Sequence, residues 1–248
     1  MKKAGRILAI GDIHGCVDSL KTLLQEINPT TEDTLIFLGD YVDRGAYSKE
    51  VIDLLIACDQ KFNCRFIKGN HEEAMVASMF YPEDVAHFWL QHGGEETLKS
   101  YGVDDVRDLK EAMPEAHFKF LNRLEDAIEL DDYIFVHASW DPDKKLAQQD
   151  TETLRYKFFE QATVKGKKMV ICGHAAQRTG LPAKKGNIQC IDTGMGIGEW
   201  GWLTAFDLTH NLYHQVNEDG KKRNLTVDQI IDFKKYSKKD LKKNNIRL

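Results

Sequence analysis

The stretch Ile7-Leu8-Ala9-Ile10-Gly11-Asp12-Ile13-His14-Gly15 joins a short apolar run to a glycine, a carboxylate and an imidazole. Four later apolar runs also end in a polar residue that can bind a metal. They lead into Gly39-Asp40, Gly69-Asn70, His137 and Gly173-His174. Short β-branched runs predict buried strands, and side chains that follow such strands can meet at one edge of a sheet. The repeated pattern therefore predicts one shared site at the strand ends.

Seven apolar runs in total predict strands, and helical patterns lie between the early ones. The predicted strands cover residues 6–10, 34–38, 64–67, 133–136, 169–172, 188–191 and 203–206. The spacing of leucines after Asp18 and of apolar residues after Ser48 predicts two helices between the first three strands. This β-α-β-α-β order indicates a mixed sheet flanked by helices, so we expect an α/β protein.

The chain divides into a predicted catalytic domain, residues 1–220, and a basic tail. Residues 72–129 lie between the third and fourth motifs and show no clear strand pattern, so we expect a helical cap inserted over the site. Residues 221–248 contain four Lys-Lys pairs and are expected to form a helical tail. For that tail we favour a solvated helical face over a docking surface for an acidic partner.

Composition and charge argue against several classes of protein. With 248 residues, the chain fits one large domain or one domain with a small appendage. A net charge of −5 argues against nucleic acid or an anionic membrane as a partner. Five cysteines without a Cys-x-x-Cys pair argue against a disulfide framework and favour a reducing compartment. The early apolar run is too short for a signal sequence and no stretch suits a membrane span, so we expect a cytoplasmic protein.

The candidate ligands share one chemistry. Their donor atoms are oxygens and imidazole nitrogens without any thiolate, which suits two hard-to-borderline divalent metals held close together. The six residues are Asp12, His14, Asp40, Asn70, His137 and His174. A carboxylate such as Asp40 can bridge two metals because its two oxygens can serve both. Each histidine alone would be an ordinary core or loop residue, and only their recurrence at strand ends indicates a metal site.

Three further residues beside these ligands suit phosphoester chemistry. Arg44 offers a planar guanidinium that matches phosphate oxygens, although a surface ion pair with Asp43 is the alternative. His71 follows Asn70, so its imidazole can reach a bound ester, and Asp43 can orient it. An imidazolium there could protonate the departing oxygen. Asp192 also follows a predicted strand and could hold the ligands in place without binding metal itself, although a simple turn after the strand is the alternative. The other histidines are expected to be ordinary surface or core residues: His87, His92, His117, His210 and His214.

Taken in order, the motifs resemble the phosphoprotein phosphatase family of calcineurin-like metallophosphoesterases. The resemblance covers residues 6–202 and rests on Gly-Asp-x-His-Gly, Gly-Asp-x-Val-Asp-Arg-Gly, Gly-Asn-His-Glu, Val-His-Ala, Gly-His and Asp-Thr-Gly. It implies two mixed β-sheets sandwiched between helical layers (αββα). Residues 90–102 are similar to the bacterial branch, so we expect a bacterial-type serine/threonine protein phosphatase. The chain departs from the usual pattern at Ser139 and Ala175, which lie beside ligands.

The resemblance also implies a role for each candidate residue. The implied ligands are, in chain order, Asp12 and His14 for the first metal, Asp40 for both metals, and Asn70, His137 and His174 for the second. His71 and Asp43 would form the acid dyad, and Arg44 would hold phosphate oxygens. The family has a second phosphate-binding arginine ahead of the Gly-His motif, and Arg155 is the best match to it.

The expected reaction is hydrolysis of a phosphate monoester by direct attack of a hydroxide that two metals share. Mn²⁺ is the expected metal, with Fe, Zn, Ni, Co and Mg as alternatives. The leading hypothesis is a protein phosphatase for phosphoserine and phosphothreonine that can also accept phosphotyrosine or small phosphoesters. A symmetrical dinucleoside polyphosphate hydrolase acting on diadenosine tetraphosphate is the alternative. A catalytically silent scaffold is disfavoured because all six ligands are present. The sequence leaves the physiological substrate and the oligomeric state open.

Overall fold

The computed structural model describes residues 5–233, which contain twelve strands and eight α-helices. The strands are β1 Ile7–Ile10, β2 Thr34–Phe37, β3 Asn63–Phe66, β4 Ala127–Glu129, β5 Tyr133–Val136, β6 Met169–Cys172, β7 Ala183–Lys185, β8 Ile188–Cys190, β9 Trp202–Asp207, β10 Leu212–Asn217, β11 Lys222–Thr226 and β12 Ile231–Asp232. The helices are α1 Val17–Ile27, α2 Ser48–Lys61, α3 Asn70–Phe80, α4 Pro82–Trp89, α5 Glu95–Ser100, α6 Val106–Ala112, α7 Glu115–Asn122 and α8 Thr151–Arg155. A π-helical turn at Leu90–Gly94 joins α4 to α5, and 3₁₀ turns lie at Leu146–Gln148 and Phe159–Gln161. Across residues 5–233, none of the helices combines the length and the apolar character that a membrane crossing requires.

The strands form two six-stranded mixed sheets. The first has the order β11-β10-β9-β1-β2-β3, in which β1, β2 and β3 run parallel and β9 to β11 pair antiparallel. The second has the order β12-β7-β8-β6-β5-β4, with β5, β6 and β8 parallel. In the first sheet, Ile10 pairs with Phe37 and Phe37 with Phe66, so the parallel strands end level with one another. The loops that follow them therefore begin at the same edge.

The central strands β1, β2, β5 and β6 are buried on both faces, which explains why they are apolar. Along β1, Leu8 and Ile10 pack in a cluster with residues of α1 and α2, whereas Ala9 packs between the two sheets. Along β5, Phe135 faces the first sheet and Val136 faces an outer cluster that contains residues of α8. A strand alternates its side chains between two faces in this way. The predicted α/β fold, with two mixed sheets between helical layers, is confirmed.

Two local predictions of secondary structure are wrong. In the stretch 72–129, the last helix ends at Asn122, and β4 then pairs antiparallel with β5. In the predicted helical tail, β11 pairs with β10 and β12 with β7, so the sheets extend past residue 220 to Asp232. All three misassigned strands lie at sheet edges, where strands are short or carry lysines and lack a clear apolar pattern. The rest of the tail, residues 234–248, lies outside the described residues.

Candidate metal centre

Loops at the carboxyl ends of five strands meet at one place. The loops after β1 and β2 are joined because Ile13 N and His14 N both donate to Asp40 O at 2.9 Å. The loops after β5 and β6 are joined because Gly173 N donates to His137 O at 2.7 Å. Helix α3 begins shortly after β3 and brings its first residues to the same edge. The structure thus brings the five predicted strand ends together.

Unusual backbone conformations concentrate at this place. Seven non-glycine residues of the described part of the chain have a positive φ, and five of them are predicted site residues. These five are His14, Asp40, Asp43, Arg44 and His174, with φ between 46° and 73°. A positive φ is strained for a residue that has a β-carbon, and such strain clusters where side chains must be aimed at a functional site.

Asp40 lies between two groups of histidines. Its Oδ2 atom is 3.7 Å from His14 Nε2, and its Oδ1 atom is 3.4 Å from His137 Nε2. Asn70 Oδ1 lies 2.9 Å from His137 Nε2 and 3.0 Å from His174 Nδ1. Two sets of donor atoms, each within 4.8 Å of one another, share the Asp40 carboxylate: His14, Asp40 and His71, and Asp40, His137 and His174. A carboxylate placed in this way can serve two metals.

Hydrogen bonds to backbone carbonyls determine which imidazole nitrogen carries a hydrogen. One nitrogen of each ring donates to a carbonyl oxygen: His14 Nδ1 to Val42 at 3.0 Å, His137 Nδ1 to Leu38 at 2.8 Å and His174 Nε2 to Tyr156 at 3.1 Å. Since a carbonyl can only accept, the opposite nitrogen of a neutral ring carries a lone pair. That nitrogen is the one directed at Asp40 or Asn70. Orienting bonds of this kind accompany metal-binding histidines.

The converging acceptors fit a cation. Burial lowers the pKa of His14 well below its ordinary value and that of His174 to about 4. Both rings are therefore neutral at pH 7, which is the form that binds a metal. For His137, burial opposes a positive charge, but the charge of Asp40 outweighs it and raises the pKa. Lone pairs of imidazole, carboxylate and amide groups thus converge around Asp40, where the surroundings favour a positive charge. The chemistry of these donor atoms fits two divalent metal ions.

Two more buried carboxylates adjoin the donors. Asp12 lies outside both donor sets, and the backbone N–H of His174 donates to its two carboxylate oxygens at 3.0 and 3.3 Å. A Cβ on Gly173 would lie 2.1 Å from Asp12 Oδ1, so only glycine leaves room for this carboxylate. Burial raises the pKa of Asp12 well above its usual value and that of Asp192 to about 6, and the charge of Asp40 adds to both shifts. Bound cations would offset this concentration of negative charge.

His71 and Asp43, the predicted dyad, are in contact. His71 Nδ1 lies 2.7 Å from Asp43 Oδ2. Trp89 Nε1 donates to the same oxygen at 2.8 Å, and Thr97 Oγ1 donates to Asp43 Oδ1 at 2.6 Å. Burial opposes a charge on His71, but the charge of Asp40 and the bond to Asp43 outweigh it and raise the pKa of the imidazole. The ring therefore keeps its proton to a higher pH, which suits a general acid.

Arg44 lies against the two histidines of one donor set. Its Nη1 lies 2.8 Å from His14 Nε2, and its Nη2 lies 3.2 Å from His71 Nε2. The backbone N–H of Arg44 donates to Gly93 O at 3.1 Å, in the π-helical turn of the helical region. A Cβ on Gly93 would lie 2.6 Å from that nitrogen, so this close approach requires glycine. The helical region thus holds the loop that carries Arg44.

Glu72 is a supporting residue to which the sequence motifs assigned no role. Its Oε1 atom accepts the N–H groups of Tyr41 and Val42 at 2.7 and 3.2 Å. Its Oε2 atom accepts those of Asp40 and Gly69 at 2.9 and 3.0 Å. One carboxylate thereby fixes the strained loop after β2 to the start of α3. A local signal exists, because Glu72 occupies the third position of α3, where a glutamate can cap the helix.

Arg155 lies apart from the other predicted residues. Its Nη1 donates to Glu73 at 2.6 Å, and its Nη2 donates to Asp126. Tyr156 Oη donates to the second oxygen of Glu73 at 2.7 Å. The Arg155 side chain does not belong to the lining of the cavity over the donors. The structure does not bring it to the site, and its phosphate-binding role stays a prediction.

A cavity of about 470 Å³ opens over the donor atoms. Its lining includes Asp40, Arg44, Asn70, His71 and His174. Other side chains of the lining were not singled out from the sequence as site residues: Ala74, Phe88, Trp89, His92, Tyr156, Phe158, Ala176 and Ile197. His92 in particular was expected to be an ordinary residue, since no strand precedes it. A cavity of this size admits a small ester group.

The sequence profile described as "Calcineurin-like phosphoesterase" matches residues 5–178, which is more than half of the chain. The chain therefore belongs to the calcineurin-like phosphoesterase family. The relatives described next support the phosphoprotein phosphatase type that its motifs predict. The bacterial-type assignment stays a prediction.

Two curated relatives are named as serine/threonine-protein phosphatases. PP2A-like PPG1 of Saccharomyces cerevisiae is 33% identical over 102 residues, which are 40% of this chain and 27% of that protein. BSL2 of Arabidopsis thaliana is 40% identical over 82 residues, which are 30% of this chain and 8% of that protein. The match therefore spans about a quarter of the first relative and much less of the second.

Solved structures share the fold. One described as "a putative diadenosine tetraphosphatase" superimposes with a TM-score of 0.63 at 20% identity, covering 90% of this chain and 94% of that one. The cold-active protein-tyrosine phosphatase of a psychrophilic Shewanella gives a TM-score of 0.58 at 16% identity, covering 90% and 81%. At these identities the likeness shows the fold alone.

Proposed function

We propose that this chain is a metal-dependent protein phosphatase that hydrolyses phosphoserine and phosphothreonine and also accepts phosphotyrosine. The observation that carries the proposal is the contact of Arg44 with both His14 and His71, beside two donor sets that share Asp40. Membership of the calcineurin-like phosphoesterase family supports hydrolysis of a phosphate ester as the reaction. The names of the curated relatives support a phosphorylated protein side chain as the substrate.

Six side chains would hold two divalent ions, for which we propose Mn²⁺. The proposed ligands are Asp12 and His14 for one ion, Asn70, His137 and His174 for the other, and Asp40 for both. When bound, such ions make a water more acidic at neutral pH and draw charge from phosphoryl oxygens. The carbonyl bonds to three of the imidazoles keep the rings in the orientation and protonation state that ligation needs.

Arg44 and His71 supply the remaining chemistry from the chain itself. The planar guanidinium of Arg44 can pair with two phosphoryl oxygens at once. The Nδ1 hydrogen of His71 is committed to Asp43. The Nε2 hydrogen of the imidazolium is therefore the one that His71 can give to the leaving oxygen, and Asp43 stabilises the charged ring until it does so.

A symmetrical dinucleoside polyphosphate hydrolase is the second candidate, because a structure of the same fold is described in those words. The charge of the cavity disfavours it. Among the described residues that line the cavity, Arg44 is the only arginine or lysine. A chain of four phosphates carries several negative charges, and the phosphates beyond the reach of the two proposed ions would meet only one guanidinium, which is poor electrostatic complementarity.

A substrate comparison tests the proposal. Enzyme freed of metal with a chelator and reloaded with Mn²⁺ is given a phosphoserine peptide, a phosphothreonine peptide and diadenosine tetraphosphate. We expect metal-dependent release of phosphate from the peptides at higher kcat/KM than cleavage of the dinucleotide. Cleavage of diadenosine tetraphosphate that exceeds hydrolysis of every phosphopeptide would overturn the proposal in favour of the second candidate.

A further inference from the structure

Three exposed apolar side chains line the cavity over the donor atoms. They are Phe88, Phe158 and Ile197, with exposed fractions of 57%, 38% and 41%. Only nine large hydrophobic side chains are exposed in the part of the chain that the structure describes, so a third of them border this one cavity. Exposed apolar groups gathered in one place mark a binding surface, whereas scattered ones need no explanation.

The phenyl rings of Phe88 and Phe158 each pack against an imidazole that also lines the cavity. The ring of Phe158 packs against His174, one of the donor histidines, with centroids 5.2 Å apart. The ring of Phe88 packs against His92 with centroids 4.1 Å apart. Both phenyl rings therefore have defined neighbours within the lining. A preformed aromatic wall binds a flat apolar group with little loss of side-chain freedom.

The charged groups of the cavity are confined to the side of the donor atoms. Arg44, the one guanidinium of the lining, is bonded to His14 and His71. Apart from Asp40 and Arg44, the lining contains no carboxylate, guanidinium or ammonium group, and Ala74, Ala176 and Ile197 are apolar. An ester bound with its phosphoryl group at Arg44 would therefore place its leaving group among carbon atoms.

We propose that Phe88, Phe158 and Ile197 form a ring pocket that binds an aromatic leaving group, so that phosphotyrosyl side chains bind better than phosphoseryl ones. The proposal rests on the proposed function and names a substrate class for that same site. In the reaction, a water oxygen forms the new bond to phosphorus, and the bond from phosphorus to the aryl oxygen breaks. The aryl oxygen keeps the electron pair and takes a proton from His71, and the proton lost by water restores the acid.

The first test measures binding without turnover. Benzylphosphonate and ethylphosphonate carry the same charged group and differ in the ring, and neither contains a hydrolysable P–O–C ester bond. Calorimetry on the Mn²⁺-loaded enzyme should show roughly tenfold tighter binding of benzylphosphonate, as ring burial in an aromatic pocket predicts. Phe88→Ala should reduce that ratio by at least about threefold, since a lost ring contact of this size is typical of aromatic pairs.

Phe80→Ala is the matched control. Phe80 is also a surface phenylalanine of the helical region, 52% exposed, but it lies outside the cavity lining. Its replacement should leave the benzyl-to-ethyl ratio unchanged. Because Phe88 is more than half exposed, its replacement should not unfold the protein, and thermal melts of both variants check this.

The second test measures turnover of benzyl phosphate, ethyl phosphate, and phosphotyrosine and phosphoserine peptides of one sequence. Both small esters release primary alcohols, so their kcat/KM ratio reports ring binding more than leaving-group acidity. A ratio near one in the wild type, or a ratio that Phe88→Ala leaves unchanged, overturns the ring pocket even if phosphopeptides are hydrolysed. Binding selectivity for benzylphosphonate without hydrolysis of any phosphopeptide would support the pocket and overturn the proposed function.

Discussion

His71 Nδ1 lies 2.7 Å from Asp43 Oδ2, although 28 residues separate them in the sequence. The partner oxygen also accepts the indole N–H of Trp89, and the second oxygen accepts the hydroxyl of Thr97. A buried carboxylate with these donors is held in one position, so it can orient the imidazole and stabilise its charged form. The proposed acid therefore depends on residues from three separate segments: the loop after β2, the start of α3 and the helical region that carries Trp89 and Thr97.

Replacement of His71 tests the acid role. His71→Asn should lower kcat roughly 10²- to 10⁴-fold, the range typical of a lost general acid. The Mn²⁺ content should stay at its wild-type level, because His71 is not among the proposed ligands. The check is steady-state kinetics together with metal analysis. His87→Asn, at an exposed position of α4, is the control and should keep full activity. Wild-type turnover in His71→Asn would refute the role.

Glu72 should be a strong determinant of stability. Each of its two oxygens accepts two backbone N–H groups, so Glu72→Gln must present an NH₂ group to one pair of donors. Each buried donor left without an acceptor costs about 1–3 kcal/mol, which predicts a loss of roughly 2–6 kcal/mol in the free energy of unfolding. Urea denaturation measures it. Glu83→Gln at an exposed position should stay within about 0.5 kcal/mol of wild type, and an equal effect of both changes would contradict the interpretation.

Gly173 should tolerate no side chain. In Gly173→Ala the new Cβ would lie 2.1 Å from Asp12 Oδ1, so the carboxylate has to move. We expect weaker binding of the metal for which Asp12 is a proposed ligand, measured by titration of Mn²⁺ into the metal-free protein. At Gly198 the nearest atom to an added methyl group is Trp200 Nε1 at 3.2 Å, so Gly198→Ala is the milder control. Unchanged Mn²⁺ affinity in Gly173→Ala would show that Asp12 is not needed.

Asp33 should make stability depend on acid pH. Its carboxylate accepts hydrogen bonds from the backbone and side chain of Arg6 and from Thr30 N. Burial alone would raise its pKa, but these bonds outweigh burial and lower the pKa to about 2. A carboxylate with a lowered pKa stabilises the fold above its unfolded pKa of about 3.9, and this stabilisation is lost as the pH falls toward the folded value.

The measurement compares wild type with Asp33→Asn in urea at several pH values. At pH 7 the variant should be less stable by roughly 2 kcal/mol, as expected for lost hydrogen bonds to a charged group. The difference should shrink between about pH 4 and pH 2, where the wild-type carboxylate becomes protonated. Asp131→Asn, at an exposed position, should show no comparable difference. A difference that is independent of pH would contradict the assigned pKa.

Most of the strands and the proposed ligands could be predicted because their signals are local. An apolar run followed by Gly39-Asp40 is visible within a few residues, and this run forms β2. Glu72 shows a weaker local signal at the start of α3. Trp89 and Thr97 carry none, since they reach Asp43 from positions 46 and 54 residues away. The edge strand β4 was missed because its three residues are too few to show a pattern.

The sequence by itself determined the chemical types of the donor atoms, the strands that carry them and the family to which the chain belongs. It could do so because each donor follows its strand within a few residues. Only the tertiary structure decided which oxygens and nitrogens face one another, that Arg155 is bonded to Glu73 and Asp126, and that Phe88 and Phe158 border the cavity. Those relations depend on how distant segments pack, and packing is set by contacts that no short stretch of sequence contains.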